Sequence, residues 1–340
     1  MERILVTRFS AMGDVAMVAS VITEFQEQHQ ETEIIMVSRP FFKPFFDQIP
    51  RVIFHPFDPK TSHSGVFGLF KLFRELRSYR SDRLADLHYN LRSRILSFFF
   101  RISGIQIATI DKGRKEKRAL TRQRNKVLRP LRHTTERYAD VLRKLGYTLS
   151  LSHQLRPQFR LIPAGMASIL ATKEKKVGVA PFAQHPYKVL PAAKMEEVLQ
   201  ALAASGIRVL LFGGGTYERK MAEKWARDIP GVTSLIGRHT LREELDIIAH
   251  LDLMVSMDSS GMHMASLMGV PCISVWGATH PYAGFLGYGQ KLEDCVQIDH
   301  PMRPSSIYGN KSCLCDGVEA IARIESQVII KNIQEKLNIA

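Results

Sequence analysis

The sequence predicts an α/β protein built as two layered domains. Three features carry that reading. At 340 residues the chain exceeds the ~250 to 300 at which a single hydrophobic core usually stops growing. Short apolar runs alternate with amphipathic stretches of helical length, the pattern of parallel strands joined by crossover helices. The alternation pauses over residues 154–176, which hold Pro157 and Pro163 and little periodicity, and then restarts, so this stretch is expected to link the domains.

In the first half, aliphatic and β-branched runs too short for helices place strands at 4–7, 33–37, 52–54, 84–87 and 105–109. Helices fit 15–28, 67–79, 93–102 and 135–145, where apolar residues recur at helical spacing. The second half repeats the scheme, with strands at 177–180, 209–212, 234–236, 253–256 and 272–276 and helices at 192–204, 217–228, 241–249 and 260–268. The expected domains are 1–160 and 170–320, closed by a C-terminal helix over 321–340 that folds back on the first domain.

Hydrophobic residues make up 45% and charged residues 24%, values that argue against disorder or a membrane-spanning protein. The longest apolar stretch, residues 95–100, is too short to span a bilayer. Strand-like residues begin at Ile4, which leaves no room for a secretory signal, so a cytoplasmic location is expected. Cys272, Cys295, Cys313 and Cys315 form no Cys-x-x-Cys pair. A lone Cys-x-Cys falls short of a zinc site, so reduced thiols are expected, with no metal and no cofactor.

The formal net charge of +14 is unevenly spread. Residues 1–165 hold 29 Lys and Arg against 15 Asp and Glu, whereas the remainder holds 18 of each. The densest run extends from Lys112 to Arg132, through Arg118, Arg122 and Lys126, with Glu116 as its only acid. Such a run is either a solvated face or a site for a polyanion: nucleic acid, an acidic membrane surface or a phosphorylated glycolipid. No aromatic residue lies within it to stack bases, which disfavours nucleic acid.

Two segments stand where a parallel strand hands over to a helix, the edge at which such sheets bind ligands. The first is Ser10-Ala11-Met12-Gly13-Asp14-Val15. Gly13 permits a tight turn or a close approach, and Asp14 is either a catalytic carboxylate or a helix cap. A dinucleotide fingerprint is absent, since the turn holds a single glycine. The second is Asp258-Ser259-Ser260-Gly261-Met262-His263, whose small residues leave helix-start N–H groups open to a phosphate. Its plainer reading is a serine cap with His263 as a buried imidazole.

A third polar turn, Trp276-Gly277-Ala278-Thr279-His280-Pro281, follows the next strand. Lys188 lies after the second domain's first strand, where a cation suits a departing diphosphate. Glu218 follows Gly213-Gly214-Gly215 and suits ribose hydroxyls, or simply starts a helix. No Asp-x-Asp occurs, so nothing suggests a metal-bridged diphosphate.

Residues 4–15, 258–269 and 275–281 resemble, in order and spacing, glycosyltransferase family 9, the ADP-heptose lipopolysaccharide heptosyltransferases. The resemblance implies a GT-B fold, two Rossmann-like domains facing across a cleft, with acceptor on the first and nucleotide-sugar on the second. It implies inversion at the anomeric carbon without a metal. Asp14 then matches the general base, with Ser10 and Gly13 beside the acceptor. Lys188 resembles the lysine at the donor phosphates and Glu218 the acid near the ribose. Asp258, Ser259, Ser260, Gly261 and His263 fall on the donor-binding stretch, although Ser260 precedes the glycine where the family has Asp-Ser/Thr-Gly. Arg118, Arg122 and Lys126 lie where such enzymes meet their acceptor.

The expected partners are thus an ADP-sugar and an anionic lipopolysaccharide core, with room for a peripheral contact at the inner membrane and none for nucleic acid. A free aspartate titrates near ~3.9, so it accepts a proton only as attack proceeds. Two alternatives stay open: a family member using another nucleotide-sugar and glycan, and a non-catalytic module that binds polyanions.

Overall fold

Ile4, Leu5 and Val6 are fully buried in β1 (Glu2–Thr7), a strand with a parallel neighbour on each side. The computed structural model describes residues 2–339. From β1 the chain runs through α1 (Met12–Gln28), β2 (Thr32–Ser38), β3 (Val52–Pro56), α2 (Gly65–Arg77), β4 (Arg83–Asp86), α3 (Leu91–Ile102) and β5 (Gln106–Thr109). α4 (Arg114–Thr121) and α5 (Thr134–Lys144) follow. The strands form one parallel sheet in the order β3-β2-β1-β4-β5. Parallel strands are covered on both faces, which is why they read as continuous apolar runs.

The second unit contains α6 (Ala167–Leu170), β6 (Lys176–Ala180), α7 (Ala192–Ala204), β7 (Arg208–Leu211), α8 (Thr216–Asp228) and β8 (Val232–Ser234). It continues with α9 (Leu241–Ile248), β9 (Leu253–Met257), α10 (Ser260–Leu267), β10 (Cys272–Val275), β11 (Cys295–Val296) and, after a short hairpin, α11 (Ser326–Leu337). Its parallel sheet has the order β11-β10-β9-β6-β7-β8. Both units are therefore Rossmann-like, and the α/β GT-B class expected from the sequence holds at the level of its two building blocks.

Strand order reverses between β1 and β4 in one sheet and between β6 and β9 in the other. At each reversal the connections leave toward opposite faces, which opens a crevice at the carboxyl ends of those strands. Two ligand-ready edges result, one per unit.

Three details differ from the expectations. Contacts divide the chain into one unit running to Lys112 and including Arg132–Ser152, and another holding Gly113–Leu131 and everything from His153 onward. The basic run, read as a face or loop of the first domain, thus contains α4 and belongs by its contacts to the second unit. Lys126 Nζ donates to the carbonyls of Met302 (2.6 Å) and Pro304 (3.0 Å), and the Leu131 amide donates to Tyr282.

The stretch expected as a linker is also laid along the second unit. The His153 amide donates to the Tyr288 hydroxyl, Gln158 N–H to the Met268 carbonyl, and Arg160 pairs with Asp246 at 3.1 Å. Gly269 is required there, because a Cβ would sit 2.2 Å from the Arg156 backbone. Finally, α11 does not end in the first unit's core. Ile329, Ile330, Ile333 and Leu337 enter the core of the second, and Lys194 on α7 donates to the Ala322 and Ile324 carbonyls just before the helix. Among the described residues no helix is long and apolar enough to cross a membrane.

Candidate active site

The first unit's edge is organised by Arg8 and Asp14. The chain leaves β1 at Thr7, and Arg8 turns back so that one guanidinium nitrogen donates to the Leu87 carbonyl at 2.8 Å. Another lies 2.5 Å from Asp14 Oδ2. Asp14 occupies the third position of α1, and the same oxygen accepts the Ala11 N–H at 3.4 Å, so a helix-capping contact is present. It is not the residue's whole environment. Tyr138, fully buried on α5, donates its hydroxyl to Asp14 Oδ1 at 3.1 Å. The carboxylate is fixed at both oxygens yet keeps 22% of its side chain in solvent. Ser10 and Gly13, half-buried, flank it.

Across the switch point, β4 delivers Asp86, His88 and Asn90. Asp86 Oδ1 accepts the His88 and Tyr89 amides at 2.9 and 2.8 Å, which shapes the turn. His88 Nδ1 accepts the Phe9 N–H at 3.1 Å. Burial, then the nearby cations of Arg8 and Lys112, push the His88 pKa down to about 3. The ring is therefore neutral at physiological pH, as its acceptor role requires.

The second unit's edge centres on an ion pair between Lys188 and Asp258. Lys188 lies in the short helical turn Pro186–Lys188 after β6, and Asp258 is the first residue after β9. Their Nζ–Oδ2 distance is 3.0 Å. Gly309, with φ +79°, clears the lysine stem: a Cβ there would lie 2.2 Å from Lys188 Cδ. The pair thus bridges the two strands at which the order reverses.

α10 starts directly after Asp258. Ser256 Oγ accepts the Met262 N–H at 3.1 Å and lies 3.3 Å from Ser259 Oγ. Gly261 lets the first turn rest on β6, since a Cβ would meet Ala180 Cβ at 2.5 Å and Ser256 Oγ at 2.9 Å. Ser259 and Ser260 are half-buried beside that turn, while His263 is buried within the helix. Glu218 stands one strand further along, in the first turn of α8 after β7. Its Oε2 accepts the Gly214 N–H at 2.7 Å, and burial raises its pKa against that hydrogen bond.

The third polar turn is held by Arg303, a residue without a sequence signal. Its guanidinium donates to the carbonyls of Gly277 (2.7 Å), Trp276 (3.0 Å), Thr279 (2.9 Å) and Ile298. Burial lowers its pKa to about 10, so it remains a cation at neutral pH. Such a knot fixes a loop that would otherwise leave four carbonyls without partners.

Within each unit the expected residues therefore gather at the switch points: Ser10, Gly13 and Asp14 in one; Lys188, Asp258, Ser259, Ser260 and Gly261 in the other. Arg118 and Arg122 are exposed, and Arg122 Nε donates to the Asn125 carbonyl at 2.5 Å. Lys126 is committed to backbone carbonyls. His88 and Arg303 carry no signal in the sequence; Arg8 lies in the family-like segment and Tyr138 beside the expected acceptor region, but neither announces its contact with Asp14. Tyr138 lies 124 residues from Asp14, and only the packing of α5 on α1 joins them.

Known proteins resemble this chain in family and in fold. A family model described as glycosyltransferase family 9 (heptosyltransferase) matches residues 69–305. A curated relative, lipopolysaccharide heptosyltransferase 3 of Escherichia coli, is 32% identical over 108 residues, covering 30% of this chain and 31% of its own length. A crystal structure of a family 9 glycosyltransferase from Veillonella parvula aligns over 99% of this chain and 97% of its own, with TM-score 0.77 and 20% identity. The E. coli heptosyltransferase WaaC with ADP aligns over 98% and 99%, with TM-score 0.68 and 19% identity. At such identities the solved structures speak to fold, whereas the family model spans most of the sequence. On that match, the chain belongs to glycosyltransferase family 9, the heptosyltransferase family.

Proposed function

We propose that this protein is an inverting, metal-independent glycosyltransferase that moves a heptose from ADP-heptose to the inner core of lipopolysaccharide, acting in the cytoplasm. The observation that carries the reading is the ion pair of Lys188 and Asp258 at the second unit's switch point, directly before the start of α10. A lysine ammonium has three donors, and Asp258 takes one. The others suit the diphosphate, with the α10 N-terminal amides near Ser259, Ser260 and Gly261 as further anion ligands. Glu218 would accept hydroxyls of the ribose. His263 acts through the helix that carries it. The ADP bound to the solved relative WaaC and the lipopolysaccharide named for the curated relative support the two substrate classes.

Asp14 is the proposed general base. As the acceptor oxygen bonds to the anomeric carbon, its proton passes to the Asp14 carboxylate and the carbon–phosphate oxygen bond breaks. The electron pair leaves on ADP, where Lys188 offsets the new charge. Arg8 and Tyr138 aim the carboxylate, and Ser10 and Gly13 border the place of the acceptor hydroxyl. Arg118 and Arg122 would attract the anionic core, while Lys126 holds their segment in place.

The test is mass spectrometry of lipopolysaccharide core from a strain lacking the protein. A core truncated before one heptose is expected. A core of unchanged mass would overturn the assignment.

A further inference from the structure

The outward face of α2 and α3 is apolar without contributing to the core. Phe67 is 92% exposed, Leu91 73% and Ile102 71%, and Val66, Phe70 and Phe98 are exposed beside them. The inward faces already supply Leu69, Leu72, Leu76, Leu96 and Phe100 to the core. Phe67, Phe70 and Arg74 recur at helical spacing on α2, as do Leu91, Arg94, Phe98 and Arg101 on α3, so each set forms one stripe. Phe99 joins the stripes, its ring lying 5.5 Å from that of Phe70 and 6.2 Å from that of Phe98. A cavity of about 380 Å³ opens alongside, walled by Leu91, Ile95 and Phe98 with Arg94 and Arg101 at its lining. A contiguous apolar surface of this kind marks an interaction site.

Charge selects the partner. The exposed charges on the two helices are Lys71, Arg74, Arg77, Arg92, Arg94 and Arg101. Their only acid, Glu75, is half-buried and shared by His55 at 3.2 Å and His63 at 3.0 Å. A second copy of the chain would set these cations against each other, because a two-fold contact pairs a patch with itself. Aromatic and aliphatic side chains set among arginines match instead the boundary between acyl chains and anionic headgroups.

We propose that this face docks on an anionic phospholipid bilayer, with the exposed phenylalanines entering the interfacial layer and the arginines meeting lipid phosphates. The docking deepens the acceptor side of the proposed function and rests on it only for its purpose, which is to bring the enzyme to a lipid-anchored substrate. Vesicle binding needs neither substrate, so failure of one reading is distinguishable from failure of the other.

The experiment is co-sedimentation of the purified protein with vesicles of phosphatidylethanolamine and phosphatidylglycerol, against phosphatidylcholine vesicles. Binding to the anionic vesicles is expected, falling several-fold as salt is raised. A Phe67→Ser/Phe98→Ser variant should lose at least tenfold in partitioning, and Arg74→Glu/Arg101→Glu should lose a similar amount, with unchanged thermal melting and ADP binding. No binding by the wild type would overturn the proposal. So would binding that survives both variants and disappears with Arg118→Glu/Arg122→Glu, or light scattering that shows the face buried in a dimer which the phenylalanine variant dissolves.

Discussion

Asp14 is both a helix-start residue and the partly exposed partner of the buried Arg8 and Tyr138, and the two roles separate on substitution. Asp14→Asn keeps the size of the side chain but cannot take the acceptor proton, so kcat should fall roughly 10²–10⁴-fold with little change in either substrate's binding. Were Asp14 only a helix cap, stability and turnover would both survive, since Asn caps nearly as well as Asp. The structure adds a cost. Arg8 is 8% exposed and would lose its carboxylate partner, so melting should also fall, and kinetics must be read on folded protein. Tyr138→Phe removes one donor to Asp14 and leaves the charge, so a loss of about 1 kcal/mol in stability and a smaller drop in kcat are expected. A variant Asp14→Asn that folds and retains more than about a tenth of wild-type turnover would exclude the base role.

His88 offers a second test, through pH. Its pKa is about 3 in the fold against ~6.5 for a free imidazole. The unfolded chain therefore binds the extra proton first as pH falls. The stability tied to a neutral His88 is fully present above about pH 6.5 and is lost progressively toward pH 3. His280, lowered to about 4 by burial and by Arg303 and Lys126, adds in the same direction. Melting temperature should drop between pH 7 and 4.5, and His88→Gln, which keeps an acceptor for the Phe9 amide, should flatten that slope. An unchanged slope would show that His88 does not control acid sensitivity.

Among the elements, α10 and the basic run give opposite lessons about what the sequence discloses. The small residues at 258–261 were legible because a helix that rests on a strand end tolerates little else: Gly261→Ala would force a Cβ into Ala180. That variant should lose stability and weaken ADP binding together. Lys188→Met should raise the ADP dissociation constant by roughly ten- to a hundredfold, the size of a charge-assisted hydrogen bond. Calorimetry checks both. The basic run was legible as charge but not as structure. Its attachment rests on Lys126 reaching carbonyls 176 and 178 residues away, a pairing no local pattern encodes. The surface charges still have a test: Arg118→Glu with Arg122→Glu should raise the acceptor KM and its salt dependence while ADP binding stays unchanged. Equal loss of both would assign the arginines to folding.

For the whole molecule, period and length revealed two parallel-sheet units because buried parallel strands leave continuous apolar runs that side-chain function does not disturb. Boundaries were less legible. The segment after His153 has a linker's composition, yet glycines elsewhere, at 269 and 289, are shaped to receive it. Likewise α11 has an amphipathic face that would suit either core, and contacts distant in sequence, from Lys194 to the Ala322 and Ile324 carbonyls and from Lys336 to Asp294, hold it on the second. Arg303 was invisible for the same reason, as one arginine among many until the fold surrounds it with carbonyls. What the sequence did reveal was the polar turns at strand ends, because those positions must satisfy a tight turn against neighbouring backbone. The proposed function requires that a sugar pass from an ADP-sugar to a core acceptor without a metal. Its most direct measurement is mass spectrometry of a core acceptor incubated with purified protein and ADP-heptose in excess EDTA, with ADP release followed in parallel. The expected result is an acceptor heavier by one heptose with one ADP formed per transfer; no product in EDTA, with activity restored by magnesium or manganese, would contradict the mechanism, and no product under either condition would contradict the claim.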